Sequence, residues 1–292
     1  MTEGAKHIWM RRVALTFAVV LTAGCSSIMS SATTGLAESL TNAVLNQNDP
    51  ETVRQGAPAY LLLIDGLIAD NPENPELLMA GANLYSSYAG AFVDDPERAS
   101  RLSRKGRDYG WAAWCQVEKD ACEIWSAPYE DFERVVGGMR PKDISVLYGA
   151  GAAWASWIRA NTDDWSAIAD KARVDAMMQR VVALDETYED GAAFLYLGIL
   201  ATLLPEAMGG KPEQGRVDFE RVIELSEGRN LMAKVLLAHS YARLVFDRDL
   251  HDRLCREVID ADPEAPGLTL TNTMAQEEAR ALLGSSEDYF GD

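Results

Sequence analysis

The sequence holds little of what catalysis requires. Three histidines, His7, His239 and His251, occur in 292 residues. No GxSxG, HExxH, P-loop or dinucleotide-type glycine pattern is present. No CxxC or Cys/His spacing suits a zinc site. Paired carboxylates such as Glu277 and Glu278 are sequence neighbours, and on a helix neighbours do not face each other. No catalytic residue, metal ligand or cofactor can therefore be named, and an unrecognised enzyme is the most distant reading. Basic residues are also scarce: 27 Lys and Arg stand against 45 Asp and Glu, a formal net charge of -18. Such a surface repels nucleic acid and anionic headgroups and favours solubility. Strand-like alternation is scarce too, while Ala and Leu dominate, which argues for an all-α protein. The length suffices for one or two domains with a large core.

The N-terminus decides the compartment. Lys6, Arg11 and Arg12 precede the apolar run Val13–Thr22, and Ala23-Gly24-Cys25 follows. A run this short is a signal peptide rather than a membrane span. Small residues before Cys25 resemble a bacterial lipobox, in which Cys25 would become the lipid-bearing first residue; an ordinary signal peptide with an incidental cysteine is the plainer alternative. Residues 1–24 are thus read as signal, 25–34 as lipidated cysteine and tether, 35–285 as the folded domain and 286–292 as a frayed acidic tail. Export permits a disulfide, and Cys115 and Cys122 are the obvious pair. Seven residues along a straight helix span about 10.5 Å, too far to bridge, so a bond requires a reversal at Gln116–Ala121. Two buried free thiols are the alternative.

The chain is organised around Gly191–Gly228. Phe194, Leu197, Gly198 and Ala201 form one helical stripe, Pro205, Gly209-Gly210 and Pro212 break it, and Gly215, Phe219 and Val222 continue on a second helix. A bulky residue, Leu-Gly, then small–Phe–small is the tetratricopeptide pattern. The glycine lets two backbones approach and the aromatic fills the wedge. The loop Pro205–Pro212 is five residues longer than usual. Echoes occur at roughly 50–90, with Ala59, Leu63 and Gly66 as a second-helix signature, at 143–185 and at 230–263. Together these predict a TPR-like all-α superhelix of about four degenerate helix pairs with Thr271–Leu283 as a capping helix. Gln116–Lys142 reads as a long connection with a short helix at Tyr129–Val136. The basic residues between Arg98 and Arg107 form either a docking face or a solvated one, the tryptophans read mostly as core, and His251 reads as a surface residue.

In such a superhelix the first helices line the groove. With the glycine position as ruler, the lining positions are Met79, Asn83 and Ser86, then Tyr148, Ala152 and Ser156, then Leu195, Ile199 and Leu203, then Val235, His239 and Arg243. The middle is small and apolar, which favours an apolar ligand or helix with an anionic head near Arg243. The plainer alternative is that these positions face another packed helix.

Several stretches together resemble a known family: LIDGLIADNPENPELLMAGANLYSSYAGAFV, ISVLYGAGAAWASWI, GGKPEQGRVDFERVIELSEGRNLMAKVLLAHSYARLVFDRDLHDRLCREVIDADP and LTLTNTMAQEEARALL. They are similar to the TatT component of tetratricopeptide-associated TRAP transporters, over about residues 35–285. The resemblance implies a periplasmic lipoprotein of helical repeats, a homotrimer with a hydrophobic cleft. It also implies a TRAP-type extracytoplasmic substrate-binding protein as partner and a hydrophobic, fatty-acid-like small molecule as cargo. A rival expectation is a scaffold lipoprotein for envelope assembly with no small ligand.

Overall fold

The computed structural model describes residues 42–291, and every regular element among them is helical. The signal segment, Cys25, the tether and most of the first expected helix lie outside the described residues. The helices are α1 (Pro50–Asp70), α2 (Pro75–Phe92), α3 (Pro96–Val117), α4 (Tyr129–Gly138), α5 (Ile144–Arg159), α6 (Trp165–Ala169), α7 (Lys171–Leu184), α8 (Ala192–Thr202), α9 (Pro212–Leu225), α10 (Leu231–Leu236), α11 (Arg248–Asp260), α12 (Thr269–Gly284) and α13 (Ser286–Phe290). The first three start alike. Asp49, Asn74 and Asp95 accept hydrogen bonds from first-turn N–H groups, and a proline follows each cap. Proline at the first helical position loses no hydrogen bond and presets φ.

Successive helices pack on one another. α2 lies on α3, α3 on α5, α5 on α7, α7 on α8, α8 on α9, and α9 on α10. The glycines sit where backbones approach. A Cβ on Gly81 would lie 2.8 Å from the Tyr109 ring, and one on Gly151 would lie 2.8 Å from Met178 Cε.

Two expectations about the repeats need correction. The tight hairpin at the N-terminal end joins α2 to α3, so the unit drawn at 50–90 cuts across it. α1 buries Val53, Leu61, Ile64 and Ile68 and leaves Leu62, Leu63 and Leu67 exposed at 74%, 55% and 41%. Leu63 and Gly66 therefore face outward. α1 carries apolar residues at helical spacing on two faces, and only the neighbouring helix selects which is buried. The second correction concerns α12. Its Leu270 and Met274 pack into the N-terminal cluster with Val53, Leu61 and Tyr85, and the Gly267 N–H donates to Asn46 Oδ1 at 2.9 Å. This helix packs on the first described helices instead of capping an open end.

The central core is aromatic. Trp111 meets Trp114, Trp125 and Trp154 edge-on at 4.8 to 5.7 Å, and Trp125 stacks on Trp154 at 4.7 Å. Trp165 departs from the core reading and is 85% exposed. Trp125 reaches this cluster because the chain reverses after α3: Cys115 and Cys122 are disulfide-bonded with Cα atoms 4.7 Å apart, across a 3-10 turn at Lys119–Cys122. The basic residues of α3 divide. Arg107 lies between the rings of Trp125 and Trp157, at 4.5 and 4.2 Å, and Lys105 pairs with Asp65 at 2.6 Å. Arg98, Arg101 and Arg104 remain exposed. The face is neither wholly solvated nor wholly available.

His251 is fully buried, contrary to the surface reading. It shares one α11 stripe with Leu254, Cys255 and Val258, at i, i+3, i+4 and i+7, which the surrounding charges of DRDLHDRL obscure. The tail likewise does not fray before Gly291. α13 places Tyr289 and Phe290 against Phe246, with Phe290 also against His251. Ring contacts hold the acidic segment, although Tyr289 and Phe246 stay 42% and 67% exposed.

Candidate functional site

The site grows from one irregularity. α10 runs into a π-helical turn, Leu237–Ala242, closed by the Arg243 N–H donating to Ala238 O at 3.2 Å. A π turn holds one residue more than an α turn and recurs at functional sites. Asp247 N–H repeats the wide spacing, donating to Ala242 O at 2.8 Å. The widened turn breaks the four-residue ruler. Val235 turns into the core at 2% exposure, while His239 and Arg243 emerge on the other side.

There they meet α8. A cavity of about 290 Å³ is lined by Ile199, Thr202, Leu203, His239, Ser240, Arg243, Leu244 and Tyr289. Four of the groove positions read from the sequence thus converge: Ile199, Leu203, His239 and Arg243. The others lie elsewhere. Leu195 packs into the C-terminal core cluster, Met79 bridges the N-terminal and central clusters, and Ala152 packs against the central one. Asn83 is exposed and Ser86 is buried. Tyr148 sits edge-on between Tyr188 and Tyr196, with ring centroids 5.4 and 5.9 Å away. Burial, followed by the neighbouring Tyr196 phenol, pushes its pKa well up. Ser156 donates to Ser86 O at 3.1 Å and lines a smaller cavity of about 260 Å³ with Gly90 and Arg159.

The electrostatics of the larger cavity centre on Arg243. Its Nε donates to His251 Nε2 at 3.3 Å, and its Nη2 to Ser285 Oγ at 2.8 Å and Leu282 O at 3.4 Å. The Tyr289 ring covers the guanidinium at 4.6 Å, and the Tyr289 hydroxyl donates to Arg243 O at 3.3 Å. No carboxylate among the described residues forms an ion pair with Arg243, although acids outnumber bases across the chain. His239 is solvent-exposed, yet desolvation is the first cause of its lowered pKa, with Glu278 opposing and Arg243 and His251 adding to the fall. A side chain both reached by solvent and desolvated by protein stands on the wall of a concavity. The lowered pKa favours the uncharged imidazole, so Arg243 is the wall's principal cation.

Sequence reasoning missed Thr202, Ser240, Leu244 and Tyr289. Tyr289 was legible as half of an aromatic pair inside an acidic tail. The inserted loop folds back on α8, with Lys211 N–H donating to Ala201 O at 2.8 Å, and leaves Met208 67% exposed. Among the described residues, no group of three His, Cys, Asp or Glu side chains could hold a metal ion, and no helix is long and apolar enough to cross a membrane.

The family described as TRAP transporter T-component matches residues 46–290 of this chain. An uncharacterized protein of Treponema pallidum (strain Nichols) is 24% identical over 271 residues, covering 86% of this chain and 84% of that protein.

Proposed function

The chain belongs to the TRAP transporter T-component family, and from that premise we propose that it is the accessory that holds a hydrophobic solute with an anionic head next to the transporter's substrate-binding subunit. The observation that carries this reading is Arg243: a cation with no ion-pair partner among the described residues, set in a wall that joins Ile199, Leu203, Leu244 and Tyr289 to the polar Thr202, His239 and Ser240. A charge that has left bulk water is stabilised by an opposite charge, and here an anionic ligand supplies it. The apolar wall accepts the chain, each buried methylene contributing about 0.8 kcal/mol.

The rest of the reading follows the same premise. The glycine-packed helix pairs are degenerate TPR-like units. Cys25 carries the lipid that tethers the protein to a membrane facing the periplasm, where the Cys115–Cys122 disulfide persists. The apolar stripe Leu62, Leu63 and Leu67 on α1 is the surface for a further chain, either the substrate-binding subunit or the next copy in a trimer.

The test is titration of the delipidated protein with fatty acids of increasing length. Affinity is expected to rise about fourfold per methylene until the cavity is full, and to fall sharply in Leu203→Glu and Arg243→Gln. Unchanged affinity in both variants sinks the cavity reading. The α1 stripe also favours the second reading, a scaffold with no small ligand. Its mark is partner capture that depends on Leu62 and Leu63 and is indifferent to Leu203 and Arg243.

A further inference from the structure

The geometry points to His251 as the positioning residue that aims Arg243 into the cavity, an inference that rests on the anionic-head reading above. His251 is wholly buried and does not line the cavity itself. Its two ring nitrogens nevertheless have fixed and different duties. A guanidinium can only donate, so Nε2, 3.3 Å from Arg243 Nε, must accept. Nδ1 then carries the proton and donates to Asp252 Oδ1 at 2.9 Å. The same oxygen accepts from Ser286 Oγ at 2.6 Å. Desolvation raises the pKa of Asp252, but the hydrogen bonds from Ser286 and His251 outweigh it and hold the group below the ordinary carboxylate range. A fixed acceptor on one side of the ring sets the tautomer on the other.

The consequence falls on Arg243. His251 takes the Nε hydrogen, and Ser285 and Leu282 take those on Nη2, while Tyr289 covers one face of the guanidinium. Only the Nη1 hydrogens have no partner among the described residues. Buried His251, held by Asp252, thereby turns a flexible arginine into a donor with a single open end, and the end of α12 together with α13 completes the grip. Such pre-orientation strengthens a charge-assisted hydrogen bond by removing the cost of ordering the side chain.

Two variants separate the role from mere packing. His251→Gln places an amide oxygen near the Nε2 position and keeps the acceptor for Arg243. His251→Asn keeps a donor for Asp252 and loses that acceptor. The full chain, labelled with ¹⁵N at histidine and arginine, reports the tautomer and the Arg243 Nε–H directly, with melting curves confirming that each variant folds. We expect the Nδ1–H tautomer in the native chain, a slowly exchanging Arg243 Nε–H in the native chain and in His251→Gln, and loss of that protection in His251→Asn. Decanoate and 1-decanol serve as matched probes. The preference for the carboxylate is expected to survive in His251→Gln and to drop about tenfold in His251→Asn. An Nε2–H tautomer, an imidazolium at pH 7, or equal behaviour of the two variants overturns the inference. A native chain with the Nδ1–H tautomer but no preference for decanoate over decanol overturns instead the anionic-head reading, and with it the role assigned to His251.

Discussion

A methyl group placed on Gly198 would lie 2.7 Å from the ring of Phe219, which is wholly buried between α8 and α9. Real side chains do not approach that closely, so the glycine is what lets the two helices share one wedge. Gly198→Ala gains helix propensity, about 1 kcal/mol. It also forces a buried ring to move, and overpacking of this kind costs about 1–3 kcal/mol. We expect net destabilisation, and we expect Gly198→Ala combined with Phe219→Leu to be more stable than the two single effects sum to. A chemical-denaturation double-mutant cycle checks this, and simple additivity would refute the wedge.

Asp218 is buried at 5% exposure on α9; among the described residues it has one hydrogen bond, from Gln214 Nε2 at 2.9 Å, and no ion pair. Burial pushes its pKa up to about 6. A carboxyl with a raised folded-state pKa binds its proton more tightly in the folded protein than in the unfolded chain. The cost is therefore absent below the ordinary value near 3.8, sets in as pH rises towards 6, and is complete above it. Asp218→Asn keeps the acceptor for Gln214 and removes the charge. Melting curves should show it stabilised by on the order of 2 kcal/mol at pH 7.5 and unchanged at pH 3.5.

Asp65 behaves in the opposite sense. It accepts from Lys105 Nζ at 2.6 Å, the Tyr85 hydroxyl at 2.7 Å and the Tyr109 hydroxyl at 2.8 Å, tying α1 to α2 and α3. Desolvation pulls its pKa up, but these three donors together outweigh it and hold the carboxyl below 3.8. Its contribution is present above the unfolded value and is lost as pH falls through the lower folded one. Asp65→Asn should cost about 1–3 kcal/mol at pH 7, and the deficit should shrink below pH 3. A deficit that does not change with pH would contradict the assignment.

The disulfide closes a short loop, Cys115 to Cys122. Chain-entropy arguments give about 2–3 kcal/mol for a loop of this size. Cys115→Ser with Cys122→Ser is expected to lower the melting temperature accordingly and to leave the fold intact. Cys255 is wholly buried, and burial pushes its thiol up to about 11. In the folded double variant it should stay unmodified by a thiol reagent, and rapid labelling would show that the α11 core opens.

Some of this was legible because short-range chemistry determines it. The Asp-Pro and Asn-Pro caps at Asp49, Asn74 and Asp95 start α1, α2 and α3, since capping is a local hydrogen bond followed by a preset φ. The pairing of Gly198 with Phe219 was readable from the spacing of small and aromatic residues. The same ruler named Ile199, Leu203, His239 and Arg243, but it also named eight positions that line no part of that cavity.

What remained was decided by contacts between distant segments. The buried face of α1 was set by which neighbour lay against it, so Leu63 points outward although its spacing fits a core. The π turn changed the register between Val235 and His239, and a one-residue widening has no periodic signature in a single sequence. His251 is buried because Phe290, 39 positions away along the chain, closes over it. Composition and all-helical character belonged to the sequence by itself, because local propensity and net charge need no partner. The cavity wall and the aim of Arg243 belonged to tertiary structure, because they exist only where α8, the π turn and α13 meet.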